Sequence, residues 1–164
     1  MKILVISDTH IPRVANDLPE EVYAAIEKCD MILHAGDFVE IDILDKLKSL
    51  RPTTAVYGNM DSSRLRNVLK EKEIISAGKF KIGLIHGYGA PSELMETVRK
   101  EFKNVDAIIF GHSHVPISIV KDGVLFFNPG SPTDTIFART NSYGIIEISD
   151  KEIQGKIISI KLPR

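Results

Sequence analysis

Two histidines stand one residue apart in FGHSHVP, residues 110–116, at the end of the apolar run DAIIF. An imidazole costs free energy to bury without a partner, so packing alone gives no reason to finish a strand this way. A site that needs two neutral nitrogen donors does. Comparable polar clusters recur along the chain as SDTH (7–10), HAGD (34–37), GNMD (58–61), HGYG (86–89) and NPGS (128–131). Together they offer Asp8, His10, Asp37, Asn59, His86, His112 and His114. These are nitrogen and oxygen donors without a thiolate, the set that suits divalent ions such as manganese, iron, zinc, nickel or cobalt. Taken singly, each cluster also reads as an ordinary turn, with Asp8 capping backbone amides and a lone histidine simply hydrogen-bonded. Four of the five histidines fall in these clusters as donors beside aspartates, which favours a shared site. The fifth, His34, lies just inside a strand and is read as a supporting or satisfied core group.

The elements that must position these residues follow from periodicity. Apolar, β-rich runs occur at KILVIS, MILHA, TTAVYG, KFKIGLIHG, DAIIFG, ISIVKDGVLFFN, YGIIEIS and IQGKIISIKL. Helical spacing appears from Pro19 to Lys28, around Ile41, Leu44 and Leu47, and from Pro91 to Phe102. Strands therefore alternate with helices in the first two thirds and dominate the last. Asp122-Gly123 between two apolar runs predicts a tight primed hairpin turn. The polar clusters fall at the carboxyl ends of successive strands, the edge where open α/β sheets bind ligands. Glycines beside them allow sharp exits from a strand and close backbone approach.

Composition sets limits on function. The chain has 164 residues, 43% apolar and 26% charged, which suits one domain, 1–164, with a sizeable core. A net charge of −1 implies no bulk attraction to nucleic acid or an anionic membrane, and leaves a homo-oligomer open. No apolar run is long enough to span a bilayer and the start lacks a signal-peptide core, so the expected location is cytoplasmic. The single cysteine, Cys29, reads as an ordinary buried thiol.

The ordered succession D-x-H, G-D, G-N-x-D, H-G and G-H-x-H resembles the calcineurin-like metallophosphoesterases over nearly the whole chain, and is similar to their small bacterial and archaeal phosphodiesterase branch. That resemblance implies an α/β (α+β) fold, a four-layer αββα sandwich of two mixed β-sheets packed face to face and flanked by helices. It implies two divalent metal ions, manganese first, with nickel, zinc, iron or cobalt as alternatives. Asp8, His10, Asp37 and His114 would hold one ion; Asp37, Asn59, His86 and His112 would hold the other, with Asp37 bridging. Asp37, Asn59 and His86 would be the catalytic members. The same resemblance implies that His112 and His114, expected on one short extended segment, serve different ions, roughly 3.5 to 4 Å apart. A hydroxide bridging the ions would attack the phosphorus of a small phosphate ester in line, without a covalent phosphoenzyme. The expected reaction is phosphodiester hydrolysis. A phosphomonoesterase or nucleotidase is the alternative, as is a noncatalytic scaffold like the small subunit of retromer, which shares the fold.

One departure from the wider family is chemical. Many relatives carry histidine in the third place of G-N-x-D/E, where it assists the leaving group, and this chain has Met60, whose thioether has no proton to give. Asp61 then loses the imidazole it would orient and is expected to cap a helix starting near Ser62. Arg13 and Arg139 are read as exposed ion-pair partners rather than substrate contacts. Asn128 and Ser131 are read as supports within a tight turn.

Overall fold

Ile3 and Val5 point to one face of β1 (Lys2–Ile6), Leu4 and Ile6 to the other, and all four are fully buried. A strand with no solvent face must lie between two layers. The computed structural model, which describes residues 1–161, builds those layers from two five-stranded mixed sheets. The first contains β1, β2 (Met31–His34), β3 (Thr53–Ala55), β9 (Asn141–Ile148) and β10 (Ile153–Ile160), in the order β10-β9-β1-β2-β3. The second contains β4 (Lys72–Ala77), β5 (Phe80–Ile85), β6 (Ala107–Ile109), β7 (Ile117–Lys121) and β8 (Val124–Asn128), in the order β4-β5-β6-β8-β7. In each sheet three parallel strands, β1-β2-β3 and β5-β6-β8, are flanked by antiparallel partners.

Three apolar layers hold the stack. Ile3, Val5 and Leu33 meet Ile82, Leu84, Ile109 and Phe127 between the sheets. Leu4, Ile6 and Ile32 pack outward on α1 (Glu20–Ile26) and α2 (Ile41–Leu50) through Val22, Ile26, Leu44 and Leu47, with Leu65 of α3 (Ser63–Val68) in the same cluster. Ile85, Ile108 and Phe126 pack on Leu94 and Val98 of α4 (Leu94–Lys100) and on Phe102 beyond its end. The order helix, sheet, sheet, helix is the sandwich expected from the resemblance.

Two local differences have physical reasons. The strand β4 has no counterpart among the apolar runs, because its KEIISA sequence alternates exposed with half-buried positions and so lacks a hydrophobic stretch. The helix expected over 91–102 forms only from Leu94 to Lys100. Asp122 and Gly123 do adopt the paired positive φ values, 51° and 76°, of a primed turn. The last residue of the expected run 153–162, Leu162, lies outside the described residues. Among those described, no helix is long and apolar enough to cross a membrane.

Candidate metal centre

The parallel strands of both sheets deliver their carboxyl-end loops to one place. Asp8 and His10 follow β1, Asp37 follows β2, Asn59 follows β3, His86 follows β5, and His112 and His114 follow β6. Five of these seven lie at positive φ: Asp8 at 55°, His10 at 46°, Asp37 at 60°, His112 at 68° and His114 at 57°. Aspartate and histidine tolerate this region better than most residues, yet each such position still costs on the order of 1 to 3 kcal/mol. Strain concentrated at one loop cluster marks where the chain gives up stability to aim side chains. It also corrects the expectation that the 112–114 segment is extended: an extended chain would turn residues 112 and 114 to one face, whereas bends at His112 and Ser113 with positive φ at both histidines let the two rings diverge. Close approach matters as well, since a Cβ at Gly111 would overlap Ser7 Oγ and one at Gly58 would overlap Asp37 Oδ1.

The hydrogen bonds decide which ring nitrogens are free. Backbone carbonyls can only accept, so His86 donates Nδ1–H to Ala35 O (2.7 Å) and His112 donates Nε2–H to Gly89 O (3.0 Å). His114 gives Nδ1–H to the Asp134 carboxylate. In each neutral ring the other nitrogen is a bare lone pair, and all three point inward at oxygens. His86 Nε2 lies 3.3 Å from Asp37 Oδ2 and 3.1 Å from Asn59 Oδ1. His112 Nδ1 lies 3.2 Å from the same Asn59 oxygen, and His114 Nε2 lies 3.3 Å from Asp8 Oδ1. His10 Nε2 closes the ring of donors, 3.3 Å from His114 Nε2 and 3.8 Å from Asp37 Oδ2. Lone pairs facing carboxylates at these distances repel unless a proton or a cation stands between them. The donor set therefore fits divalent ions. Asp8, His10 and His114 form one group within ligating reach and Asp8, Asp37 and His86 form another. Asp8 belongs to both groups, and Asp37 Oδ2 faces both His10 Nε2 at 3.8 Å and His86 Nε2 at 3.3 Å.

Charge tells the same story. Burial opposes protonation of His86, but its bond to Asp37 and the charges of Asp8 and Asp37 outweigh it and raise the pKa to about 9. Burial is likewise outweighed at His114 by Asp8 and Asp134, again raising the pKa to about 9. Burial would raise Asp37, yet the His86 bond and charge and the Met60 N–H hold it below the usual carboxylate range. Without ions, protons take up the positions that cations would fill.

Two of the supporting residues, Asp134 and Arg66, carry no signal in the sequence. Asp134 is buried and fixes the tautomer of His114 while its oxygens accept the N–H groups of Ile136, Phe137 and Ala138. Asp61 does not cap α3, correcting that expectation. Its Oδ1 accepts Val39 N–H (2.7 Å) and its Oδ2 accepts Asp37 N–H (3.1 Å) and Gly58 N–H (2.7 Å), tying two ligand loops together. The Arg66 guanidinium donates to the carbonyls of Gly58, Asn59 and Asp61, stiffening the same loop. His34 is fully buried; its Nδ1 accepts Gly36 N–H, its Nε2 bonds Thr9 Oγ1, and its ring stacks on Phe38. Both nitrogens are used, and burial depresses its pKa well below the ordinary value. Ser131 Oγ donates to Asp8 O and Asn128 donates to Gly111 O, as supports of the ligand loops.

A cavity of about 430 Å³ opens over the cluster, lined by His10, Asp37, Asn59, His112 and His114 together with Arg13, Val14, Met60, Pro91, Ile136 and Phe137. Arg13 is exposed and, among the described residues, has no carboxylate within 4.0 Å, so the ion pair expected for it does not form; Arg139 has none either.

Comparison with known proteins agrees with this geometry. A family model described as a calcineurin-like phosphoesterase superfamily domain matches residues 1–151. The probable metallophosphoesterase MJ0623 of Methanocaldococcus jannaschii is 37% identical over 165 residues, covering 98% of this chain and 82% of that protein. Wild-type Vps29 of Entamoeba histolytica, solved in complex with zinc, is similar in structure with a TM-score of 0.74 at 26% identity, covering 97% of this chain and 99% of that one. A structure described as a novel archaeal phosphodiesterase gives a TM-score of 0.73 at 24% identity, covering 96% and 100%. At that identity the last likeness shows the fold.

Proposed function

The chain belongs to the calcineurin-like phosphoesterase superfamily, and from that premise we propose that it is a phosphodiesterase working with two divalent ions, manganese first. Asp8, His10, Asp37 and His114 would hold one ion and Asp37, Asn59, His86 and His112 the other. Bound there, the ions would supply positive charge for phosphoryl oxygens and lower the pKa of water towards neutrality. The observation that carries this reading is the set of three imidazole lone pairs turned on three oxygens, each ring held by a donor bond on its far side.

The chain's own residues add position and selectivity. Arg13 lines the cavity as a cation with no carboxylate partner among the described residues and would meet a nonbridging phosphoryl oxygen. Among the described residues it is the single arginine or lysine lining this cavity. A diester carries one negative charge, whereas a monoester carries nearly two at neutral pH, so one arginine favours the diester. Met60 lines the cavity where an imidazole would protonate the leaving oxygen, so departure depends on the stability of the leaving anion itself. Cys29 lies outside this cavity, and burial raises its thiol pKa, which removes it as a covalent nucleophile.

A scaffold role on the same fold is separated by turnover and not by the ligand set, since a Vps29 was solved with zinc. Manganese-reconstituted and chelated protein should be screened against aryl and alkyl diesters, monoesters and cyclic nucleotides. Aryl diesters should turn over fastest and chelation should stop them. Faster monoester hydrolysis would overturn the diester assignment, and no turnover of any ester would favour the scaffold.

A further inference from the structure

Phe137 is the most exposed large apolar side chain among the described residues, at 75%, and Ile136 follows at 71%. Single exposed apolar residues need no explanation. These two face the cavity of the candidate metal centre, which Val14, Met60 and Pro91 also line, so the apolar surface is continuous with the ligand cluster. The segment is also fixed in place. The N–H groups of Ile136, Phe137 and Ala138 donate to the Asp134 carboxylate at 2.8, 3.1 and 3.0 Å, and Asn141 Nδ2 donates to Asp134 O at 2.7 Å. Asp134 bonds the metal-ligand candidate His114 as well, and the Phe137 ring stands nearly perpendicular to the His114 imidazole, 6.0 Å between centroids. Five hydrogen bonds thus fix Asp134 and the backbone that presents the Phe137 ring to solvent beside the ligand cluster. Such preorganisation is useful when something flat and apolar must be bound next to a phosphoryl group.

We propose that Phe137, flanked by Ile136, is a specificity-determining residue that stacks on a nucleobase carried by the substrate, making the substrate class nucleotide diesters. The inference rests on the phosphodiesterase reading and deepens it. A nucleobase fits better than an alkyl chain for two reasons. The apolar lining is confined to this one open cavity, whereas the exposed Ile119 and Val120 of β7 lie outside it and do not extend it into a groove for a long chain. Base-on-aromatic stacking also tolerates an exposed platform, because the base brings its own flat face. The thioether of Met60, which lines the same cavity, adds a polarisable contact for a ring.

The test separates stacking from leaving-group chemistry by using two diesters that both release 4-nitrophenolate, thymidine 5′-(4-nitrophenyl) phosphate and methyl 4-nitrophenyl phosphate. In the manganese-reconstituted full chain, kcat/KM should favour the thymidine ester. Phe137→Ala should lower that preference by about 5- to 30-fold, mainly through KM, and Phe137→Tyr should retain it. A preference that is absent in the wild type, or unchanged in Phe137→Ala, overturns the subsite. If the wild type hydrolyses neither ester, the phosphodiesterase reading fails on its own, and equilibrium binding then decides the subsite. Thymidine 5′-monophosphate should bind more tightly than methyl phosphate, by a ratio that Phe137→Ala lowers by the same factor. Equal affinities would overturn it and leave the apolar rim to a protein partner.

Discussion

Asp61→Asn is the substitution that most directly probes how the ligand loops are held. The side chain keeps its shape, but an amide has one acceptor oxygen where the carboxylate has two. In the native arrangement Oδ1 serves Val39 N–H while Oδ2 serves Asp37 and Gly58 N–H. An asparagine oriented to keep the second pair turns its NH2 group on Val39 N–H, leaving a buried donor unpaired. Val39 sits at φ 85°, an uncommon conformation for a β-branched residue, and depends on that bond. Losing a hydrogen bond to a charged acceptor and stranding its donor costs about 2 to 4 kcal/mol. Burial already raises the Asp61 pKa, so neutralising it returns part of its desolvation cost and points to the lower end, about 2 kcal/mol. Release of Val39 also loosens Asp37, and metal affinity should drop about 10- to 100-fold, as for other groups that orient a ligand. Urea unfolding of the metal-free variant and a calorimetric manganese titration measure the two effects. Stability within about 0.5 kcal/mol of wild type together with unchanged manganese affinity would refute the role given to Asp61.

Three further outcomes are expected. Asp37→Asn should cost far more manganese affinity than His34→Ala, whose loss should appear as lower stability because both of its ring nitrogens are spent on Gly36 and Thr9; equal metal losses by calorimetry would contradict this. Met60→His should flatten the dependence of log rate on leaving-group pKa, helping poor leaving groups within the roughly 10²- to 10⁴-fold range of general acid catalysis, and an unchanged slope with intact metal content would argue against it. For pH, His86 and His114 titrate near 9 in the metal-free fold against an ordinary 6.5. Both values are raised, so the stability they contribute is complete below about 6.5 and is lost as pH climbs through 9. The unfolding free energy of chelated protein should therefore fall across that window by on the order of a few kcal/mol, read as a falling urea midpoint, and manganese should abolish the trend. A flat or rising midpoint without metal would be inconsistent with the charge balance described.

The donors were legible because each belongs to a polar cluster at the end of an apolar run, four of them (Asp37, Asn59, His86 and His112) directly beside a glycine, a pattern that strand-end turns impose locally. Their partners were not. Asp134 lies twenty residues beyond His114 in a stretch with no motif, and meets it only because the 131–140 loop folds back across the β1 loop through Ser131 and Thr133. Asp61 has the sequence look of a helix cap, yet the unpaired amides of the 37–39 and 58 loops claim its oxygens first. The divergence of His112 and His114 does not follow from an extended segment, which would turn residues two apart to one face; the GHSH loop has already left the strand and separates the rings by positive φ. Strand β4 escaped notice because a half-exposed edge strand has no hydrophobic run to display. Periodicity reads elements with a buried face, and says little about contacts made between loops.

The most direct measurement is activity against bound metal in one titration. Rigorously chelated protein is given manganese in steps, and metal content and bis(4-nitrophenyl) phosphate hydrolysis are read at each step. Two ions per chain should bind at the cluster of Asp8, His10, Asp37, Asn59, His86, His112 and His114, with hydrolysis absent at zero and complete only as the second ion is taken up. Full hydrolysis by the metal-free chain, or two bound ions with no hydrolysis, would contradict the account.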